Sequence, residues 1–285
     1  MLCSFFGSMT LCIFNPEHDL CLAKGRWNYV PPLSAVEYAR RDANTMQVLY
    51  PDAFYCSVYD LTRERAVQAT GVVAWGWDAV VRHELQKRGV PVDLLPSDEV
   101  VAAIRELQHR STVLPLQPDC HAVRSVAEME ALLKEREHWV MKAPWSGAGR
   151  GLHWVHGSLT AIDRDWLVKT AEKQRCVIAE PRRDVAADLA LEYMDGGFMG
   201  YSYFKTGSGV YKENILWTDG QIESTFPVCD IRERIESWLA ANVWPRYRGP
   251  LGVDLMLCAD GSIHVAEINF RHTMGMVAHA KINQQ

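Results

Sequence analysis

Several features that would place the chain in a specialised class are missing from its sequence. Lys and Arg number 30 against 35 Asp and Glu, which gives a formal net charge of −5, and there is no long basic run. The composition therefore does not suggest a nucleic-acid-binding surface. No apolar stretch reaches the ~18 residues of a transmembrane helix, so we expect no membrane partner. The eight cysteines include no C-x-x-C pair, which favours buried thiols in a reducing cytosol.

A signal peptide is also not expected. Residues 1–14 are largely apolar, but no Lys or Arg precedes them and no clear cleavage site follows. Residues 11–14 are better interpreted as a first buried strand. Met9 is an alternative start to Met1, because this strand begins directly after it.

The length of 285 residues gives a prior of about two domains. In the first part, apolar runs at 11–14, 53–59 and 71–75 alternate with helical patterns at 34–49, 78–88 and 97–110. Such alternation predicts an open, mainly parallel sheet, so we expect an N-terminal α/β domain over residues 1–112. Arg105, His109 and Arg110 fall on the last helix, where a solvent-facing position is preferred over an anion site.

A second pattern follows a segment at 112–121 that contains two prolines and is interpreted as a linker. Helices are predicted at 125–137, 159–174 and 231–242. Strands are predicted at 139–143, 152–155 and 176–180, near 186–195, 198–205 and 209–217, and near 251–258 and 262–268. The three strands in the middle of this region follow one another without a helix, which favours an antiparallel, α+β arrangement.

A glycine-rich turn after the strand at 139–143 is the first candidate site. Glycines at alternating positions let backbone N–H groups approach a ligand closely, and a serine hydroxyl and a lysine complete a cradle suited to phosphate. The spacing is not that of a Walker A loop, a dinucleotide fingerprint or a kinase glycine loop. A flexible hairpin turn is the alternative interpretation. The candidate residues are Lys142, Ser146, Gly147, Gly149, Arg150 and Gly151.

A hairpin near the C-terminus is the second candidate site. Asp260-Gly261 is a strong signal for a two-residue type I′ turn. Counting outward from such a turn places Asp254 directly opposite Glu267, with Cβ atoms about 4.5–5.5 Å apart. Two carboxylates held this close repel each other, so we expect a cation between them or a proton on one of them.

The second strand of this hairpin adds further ligands. Alternation at a period of two places Asn269 and Arg271 on the same face as Glu267. Two carboxylates and an amide oxygen suit Mg²⁺, so Asp254, Glu267 and Asn269 are predicted to bind this metal. The alternative is a pair of solvated carboxylates on an outer sheet face. The apolar residues on the other face of the first strand count against it, because they already supply one buried side.

Together these features resemble the ATP-grasp superfamily. The shared pattern is a lysine before a glycine-rich loop, a strand that ends in Glu180, a strand aspartate, and the sequence Glu267-Ile-Asn269-Phe-Arg271. The resemblance covers residues 113–285 and, more weakly, residues 1–112.

The fold that this resemblance implies combines an α/β region with an α+β region. An N-terminal open parallel α/β domain, over 1–112, would precede an ATP-grasp domain over 113–285. Within the latter, residues 113–183 would form a small subdomain that covers the nucleotide. Residues 184–285 would form the subdomain that holds the metal and the catalytic residues.

The resemblance also assigns nucleotide contacts. Lys142 would contact the α- and β-phosphates of ATP, and the loop at 146–151 would cover the triphosphate. Glu180 would lie beside the adenine amine or the ribose, with the backbone at Arg182 as a hinge. Asp188 is a further nucleotide candidate.

For the reaction itself, the resemblance implies that Asp254, Glu267 and Asn269 hold one or two Mg²⁺ ions. Arg271 would bind an acceptor carboxylate or the acyl-phosphate. Lys205 or Lys212, on the central strands, would reach the γ-phosphate, and solvated strand lysines are the alternative. Glu192 has no assigned role.

The N-terminal domain would form one wall of the acceptor site. Its candidates follow predicted strands closely, where open α/β sheets bind ligands. These candidates are Asn15, His18, Trp75 and Trp77. An ordinary loop histidine is the alternative for His18. A metal site at His18 with Cys21, or at Cys120 with His121, is disfavoured because no second cluster has zinc-like spacing.

The function expected from the residues and the resemblance is that of a cytosolic, ADP-forming ligase that depends on ATP and Mg²⁺. It would activate a small-molecule or peptide carboxylate as an acyl-phosphate for attack by an amine or similar nucleophile. A phosphotransferase that stops at phosphorylation is one alternative. A non-catalytic, nucleotide-binding regulatory protein of the same fold is another. The sequence specifies neither the acyl substrate, nor the nucleophile, nor the oligomeric state.

Overall fold

The computed structural model describes residues 9–147, 151–207 and 210–283. Their strands form three separate sheets. The strands of each sheet come from one of the three segments predicted above, although the exact domain boundaries stay a prediction. Within these ranges, no helix combines the length and the apolar character needed to span a bilayer.

The first sheet is the predicted open parallel sheet, with three strands in the order β2-β1-β3. Its strands are β1 (Thr10–Ile13), β2 (Phe54–Cys56) and β3 (Gly71–Ala74), and its helices are α1 (His18–Lys24), α2 (Leu33–Arg41), α3 (Arg63–Ala66), α4 (Ala79–Arg88) and α5 (Asp98–Leu107). The helix predicted over 34–49 ends at Arg41. Turns follow it, since Asp, Asn and Thr in this stretch favour local side-chain bonds over helix.

Caps set the ends of the later helices in this region. The Asp78 side chain accepts the backbone N–H groups of Val80 and Val81, and Gly89 ends α4 with φ of 93°. The predicted helix 97–110 stops at Leu107, and a 3₁₀-helix (Arg110–Leu116) follows. The supposed linker is therefore folded, and part of it is buried in the core of the third sheet. His109 is buried as well, so the prediction that it shares a solvent-facing helix surface is wrong.

The second sheet has four strands in the order β4-β7-β5-β6, and every neighbouring pair is antiparallel. Its elements are β4 (His121–Val123), α6 (Val126–Glu135), β5 (His138–Lys142), β6 (Leu152–His156), α7 (Ala161–Gln174) and β7 (Val177–Pro181). Both helices begin at a hydroxyl cap, Ser125 and Thr160. In the antiparallel pairing of β5 with β7, Glu180 lies opposite Val140 and Lys142 lies opposite Ile178, so Lys142 and Glu180 occupy diagonal positions on neighbouring strands.

The third sheet has five antiparallel strands in the order β10-β9-β8-β11-β12. Its elements are β8 (Val185–Met194), β9 (Gly197–Gly207), β10 (Val210–Ile215), α8 (Asp219–Thr225), α9 (Cys229–Asn242), β11 (Pro250–Cys258), β12 (Ile263–Asn269) and α10 (Met274–Ile282). One face packs on α8 and α9 in the largest core cluster. The helices α1, α3, α8 and α10 are additions to the predicted set.

The β11–β12 hairpin has a different turn from the predicted one. The Cys258 N–H donates to the Ser262 carbonyl at 2.8 Å, so the loop has three residues, not two, and ends at Gly261 with φ of 82°. A register shift follows, because Leu255 pairs with Val265 and one residue of β12 is skipped. This bulge restores the pairing of Asp254 with Glu267, so the predicted opposition is confirmed although the predicted turn is wrong.

Candidate active site

Two cavities meet at the Asp254–Glu267 pair. The first, called here the Lys142 cavity, has a volume of about 340 Å³ and is lined by Lys142, Glu180, Arg182, Asp188, Arg110 and others. The second, called the Arg271 cavity, has a volume of about 290 Å³ and is lined by Arg271, Asp19, Trp75, Glu192, Asn269 and others. Asp254 and Glu267 line both cavities. The pair therefore stands between the predicted nucleotide residues and the predicted acceptor residue.

The Asp254–Glu267 pair carries unfavourable electrostatics. Burial raises the pKa of Asp254 well above its usual range, and the nearby Glu267 carboxylate raises it further. Asn269 Nδ2 donates to Asp254 Oδ2 at 3.0 Å, which brings the amide of β12 against the pair. A partly buried carboxylate pair with an adjacent amide supplies oxygen ligands and negative charge that suit Mg²⁺. These three residues fit the predicted metal.

Arg110 is a residue of this site that the sequence prediction missed. Its guanidinium donates to the Ala143 carbonyl and to Ser146 Oγ, both at 2.6 Å, and it also donates to Glu267. The expectation that Arg110 faces solvent is wrong, because α5 ends before it and the 3₁₀-helix turns its side chain inward. Arg110 thus links the start of the glycine-rich turn to a predicted metal ligand.

The Lys142 cavity brings together the predicted nucleotide residues of two sheets. Lys142 Nζ lies 2.8 Å from Glu180 Oε2, and both side chains are almost fully buried. Arg182 is exposed and lies over the Trp154 ring, 5.7 Å from its centroid. Asp188, on the facing sheet, accepts a hydrogen bond from Thr206 Oγ1 at 2.6 Å, and burial raises its pKa.

The glycine-rich turn is described only at its two ends. Ser146 Oγ is bonded to Arg110 and donates to the Ala143 carbonyl at 3.2 Å. A Cβ at Gly147 would lie 2.4 Å from Asp19 Oδ2, so only glycine fits beside this carboxylate. Gly151 has φ of 70°, which also favours glycine. Gly149 and Arg150 lie outside the described residues.

Arg271 lies just beyond β12 and is held by Asp19, which comes from the first turn of α1. Its Nε and Nη2 donate to Asp19 at 3.4 and 3.2 Å, and its Nη1 donates to the His272 carbonyl at 3.1 Å. A guanidinium has five N–H donors, so two remain for a ligand. The Arg271 side chain also lies over Trp75, 6.0 Å from the ring centroid.

Glu192 is a further residue of this site, and the sequence analysis assigns it no role. It is fully buried on β8 and lines the Arg271 cavity. Its Oε1 accepts from Ser202 Oγ at 2.8 Å, and its Oε2 accepts from Thr273 Oγ1 at 2.7 Å. Burial raises the pKa of Glu192 to about 7.

The two lysines proposed to reach the γ-phosphate are not brought to this site. Lys205 is exposed and forms an ion pair with Glu213 at 3.1 Å. The alternation of β9 explains this position, because Phe204 and Thr206 line the cavities and Lys205 faces the other side. Lys212 is exposed on β10, and neither lysine is among the described residues that line the two cavities.

Of the four candidates in the N-terminal region, only Trp75 lines the Arg271 cavity. Asn15 and His18 are buried and contact Asp78, through Nδ2 at 3.2 Å and Nδ1 at 3.3 Å. These contacts lie at the junction between β1 and β3, and His18 Nε2 is buried there without a hydrogen-bond partner among the described residues. Trp77 packs against two core clusters. The unpredicted Asp19 lines the Arg271 cavity together with Trp75.

Among the described residues, the two residue pairs that the sequence analysis disfavours as metal sites have no third ligand residue close to them. In the ranges that the structure describes, a group of three ligand residues is found at Glu137, His138 and His156. Neither His18 with Cys21 nor Cys120 with His121 belongs to such a group. The described cysteines are free, and six of these seven are buried.

Comparison with solved structures identifies the fold. N5-carboxyaminoimidazole synthetase from Staphylococcus aureus, complexed with ADP, is 12% identical with a TM-score of 0.55, and the match covers 93% of this chain and 71% of that one. D-cycloserine synthetase DcsG is 15% identical with a TM-score of 0.58 over 97% and 98% of the two chains. D-alanyl-alanine synthetase A from Vibrio cholerae is 14% identical with a TM-score of 0.52 over 92% and 89%.

These neighbours have the ATP-grasp fold, and the chain described here has it too. The fold predicted from the sequence is therefore confirmed. No protein-family model matches the sequence, and no curated protein does. At these identities, the likeness establishes the architecture and leaves the activity to be argued from the site.

Proposed function

We propose that the protein is an ATP- and Mg²⁺-dependent ligase that activates a carboxylate as an acyl-phosphate for attack by an amine or similar nucleophile. One observation carries this proposal: Asp254 and Glu267 line both the Lys142 cavity and the Arg271 cavity. A nucleotide in the first cavity and a carboxylate in the second would meet at this pair. The named complex of a structural neighbour with ADP supports a nucleotide site in this fold.

The nucleotide is proposed to occupy the Lys142 cavity. Lys142 has three donors, of which the Glu180 carboxylate uses one, so the others are available to phosphate oxygens. Glu180, Arg182 and Asp188 would surround the remainder of the nucleotide, and the turn at 146–151 would cover its phosphates. Arg110 adds a cation beside Glu267, a position that neither Lys205 nor Lys212 reaches.

The metal is proposed to bind Asp254, Glu267 and Asn269. Mg²⁺ at these ligands would neutralise the charge of the phosphates and of the reacting oxygens. The protein side chains would position the substrate carboxylate. The two remaining N–H donors of Arg271 suit a planar carboxylate, and the Asp19 contact fixes the orientation of the guanidinium.

The proposed reaction has two balanced steps. A carboxylate oxygen attacks the γ-phosphorus of ATP, a P–O bond forms, and ADP leaves. The nucleophilic nitrogen then attacks the carbonyl carbon, phosphate leaves with the C–O bonding pair, and the nitrogen loses a proton. Binding both substrates beside the Asp254–Glu267 pair holds the reacting atoms close together in a productive orientation.

A phosphotransferase and a non-catalytic nucleotide binder are the competing functions. The Arg271 cavity favours the ligase, because it offers space and a carboxylate-binding side chain directly beside the proposed metal ligands. We also propose a cytosolic location, which the free and mostly buried thiols support.

An ADP-release assay tests the proposal. Purified protein with Mg²⁺ and ATP is tested against amino acids, short peptides and small carboxylates, with and without an amine. A ligase forms the coupled product and needs both components, whereas a phosphotransferase releases ADP with the carboxylate alone. ADP release that is absent for every combination contradicts catalysis. Glu267→Gln is the control that should bind nucleotide poorly and form no ADP.

A further inference from the structure

Gln117 contacts the bulge of β12 through one amide nitrogen. Its Nε2 donates to the Val265 carbonyl at 2.5 Å and to the Ala266 carbonyl at 3.2 Å. Consecutive carbonyls of a regular strand point to opposite edges, so a single donor at one edge cannot reach both. The extra residue of the bulge turns the two carbonyls toward the same side. Gln117 therefore recognises the bulged conformation of β12 and not a regular strand.

The position of β12 in its sheet makes these contacts important. Among the described strands, β12 pairs only with β11, so the outer edge of β12 has no strand partner. Carbonyl groups that are buried there need a donor from another part of the chain. The side chain of Gln117 is itself buried and supplies this donor. A side chain without a donor would leave the two carbonyls unsatisfied and would destabilise the bulge.

Gln117 is held on a fixed segment of the chain. It is the C-terminal cap residue of the 3₁₀-helix Arg110–Leu116, and Leu116 packs in the largest core cluster. Arg110 begins the same 3₁₀-helix and donates to Glu267. One short helix thus contacts both the bulge and the carboxylate that follows it on β12.

The bulge decides which residue of β12 faces Asp254. If β12 were regular beyond Val265, Ala266 would lie opposite Asp254. Glu267 would then lie opposite Val253, whose side chain is buried in the core. With the bulge, Glu267 lies opposite Asp254 and lines both cavities. The proposed metal pair consequently depends on this one extra residue.

We propose that Gln117 is a positioning residue that stabilises the bulge and thereby keeps the Glu267 carboxylate opposite Asp254, where both bind the metal. This inference rests on the proposed function for the role of the metal, whereas the strand register is independent of that function. Gln117 is not among the described residues that line the two cavities. It therefore acts through the backbone of β12 and not by contact with a substrate.

A Mg²⁺ titration tests this role. Gln117→Met removes the donor and keeps the length of the side chain. The Mg²⁺ concentration that gives half-maximal binding of a non-hydrolysable ATP analogue should rise about tenfold or more, as for other residues that orient metal ligands. Affinity for the analogue at saturating Mg²⁺ should stay close to wild type. Gln86→Met alters an exposed glutamine of α4 and should behave as wild type. An unchanged Mg²⁺ requirement in folded Gln117→Met overturns the proposal.

Deletion of Ala266 separates this role from a general packing role. Once the extra residue is removed, a regular strand already places Glu267 opposite Asp254. The double variant, which combines this deletion with Gln117→Met, should therefore regain a Mg²⁺ requirement near that of wild type. A defect caused by disturbed packing around Gln117 would persist. A double variant that still needs about tenfold more Mg²⁺, or that does not fold, overturns the proposal.

The strand register is measured separately by NMR, without metal or nucleotide. Backbone NOEs between Asp254 and Glu267 should be present in wild type, weak in Gln117→Met and restored in the double variant. NOEs of wild-type strength in Gln117→Met overturn the inference. If Gln117→Met does not fold, the double variant decides, and the absence of these NOEs there overturns the inference.

This readout also separates the inference from the proposed function. A wild-type protein that binds no ATP analogue in the presence of Mg²⁺ contradicts the ligase proposal. The NOEs then still decide whether Gln117 sets the register of β12.

Discussion

Arg110 donates to the carboxylate of Glu267, a residue 157 positions further along the chain. The same guanidinium holds Ser146 Oγ and the Ala143 carbonyl at the start of the glycine-rich turn. A single side chain thus connects the loop proposed to cover the phosphates with a proposed metal ligand. It also supplies positive charge to a carboxylate pair that would otherwise repel.

Removal of Arg110 should therefore destabilise the protein in a way that Mg²⁺ partly reverses. Arg110→Ala leaves the Asp254–Glu267 pair without its guanidinium, at a cost of about 1–3 kcal/mol in the free energy of unfolding. The measurement is urea unfolding with and without millimolar Mg²⁺. Arg164→Ala removes an exposed ion pair with Glu130 and should cost less than about 1 kcal/mol under both conditions. An Arg110→Ala loss that is the same in both conditions would show that Mg²⁺ does not use this pair.

Lys142 is expected to contribute directly to nucleotide binding. Lys142→Ala should weaken binding of Mg²⁺–ATP by more than about 1.5 kcal/mol, the scale of a charge-assisted hydrogen bond. Calorimetric titration of both proteins checks this. Lys169→Ala, which removes an exposed pair with Asp165 on α7, serves as the control and should bind as wild type. Equal affinity in wild type and Lys142→Ala would contradict the assignment.

Arg271 is expected to act on the acceptor and not on the nucleotide. Its planar fork suits a carboxylate, and Lys cannot reproduce that geometry. Arg271→Lys should keep ATP affinity near wild type, whereas kcat/KM for the acceptor should fall by at least about tenfold, because positioning is lost. ATP affinity and acceptor kinetics are measured together, because only both values distinguish an acceptor contact from a phosphate contact. Reduced ATP affinity with unchanged acceptor kinetics would make Arg271 a phosphate ligand.

His272 should make the folded state sensitive to acid. Burial lowers the pKa of His272 from 6.5 to about 4, so the folded protein binds fewer protons than the unfolded chain between these values. Stability is therefore fully present above about pH 6.5 and is lost as the pH falls toward about 4, by about 3 kcal/mol for this group. Its ring forms hydrogen bonds with the Tyr50 hydroxyl and the Trp75 carbonyl, which connect the segment after β12 to the N-terminal region.

Unfolding curves between pH 4 and pH 7 test this dependence. His272→Gln should be less stable than wild type at neutral pH and should lose less stability as the pH falls. His121→Gln alters an exposed histidine of β4 and should keep the wild-type slope. If His272→Gln keeps that slope too, another group governs the acid sensitivity.

Local patterns were sufficient to predict much of this fold. The spacing of Asp254 and Glu267 follows from strand alternation, and the positions of Lys142 and Glu180 follow from where two short apolar strands end. The β11–β12 hairpin shows that the strand register cannot be derived reliably by counting residues outward from a predicted turn. Its turn was predicted one residue too short, and the bulge at Ala266, which no sequence signal marks, offset the error.

The remaining site residues depend on contacts between distant parts of the chain. Asp19 meets Arg271 across 252 positions, and Glu192 meets Thr273 across 81. The sequence pattern of α5 continues through Arg110 and predicts it on that helix, whereas the helix ends at Leu107. For Asn15 and His18, the sequence predicts a ligand site and the structure shows internal contacts. Polar residues after a strand suggested a ligand site, but they bond to Asp78 within the protein.

A crystal structure with Mg²⁺ and a non-hydrolysable ATP analogue tests the central claim most directly. The account predicts the nucleotide in the Lys142 cavity, with Lys142 on its phosphates and Glu180 beside the adenine or ribose. It predicts Mg²⁺ with oxygen atoms of Asp254, Glu267 and Asn269 at about 2.0–2.1 Å or through a bridging water. A nucleotide bound elsewhere, or a metal that contacts neither Asp254 nor Glu267, would contradict it.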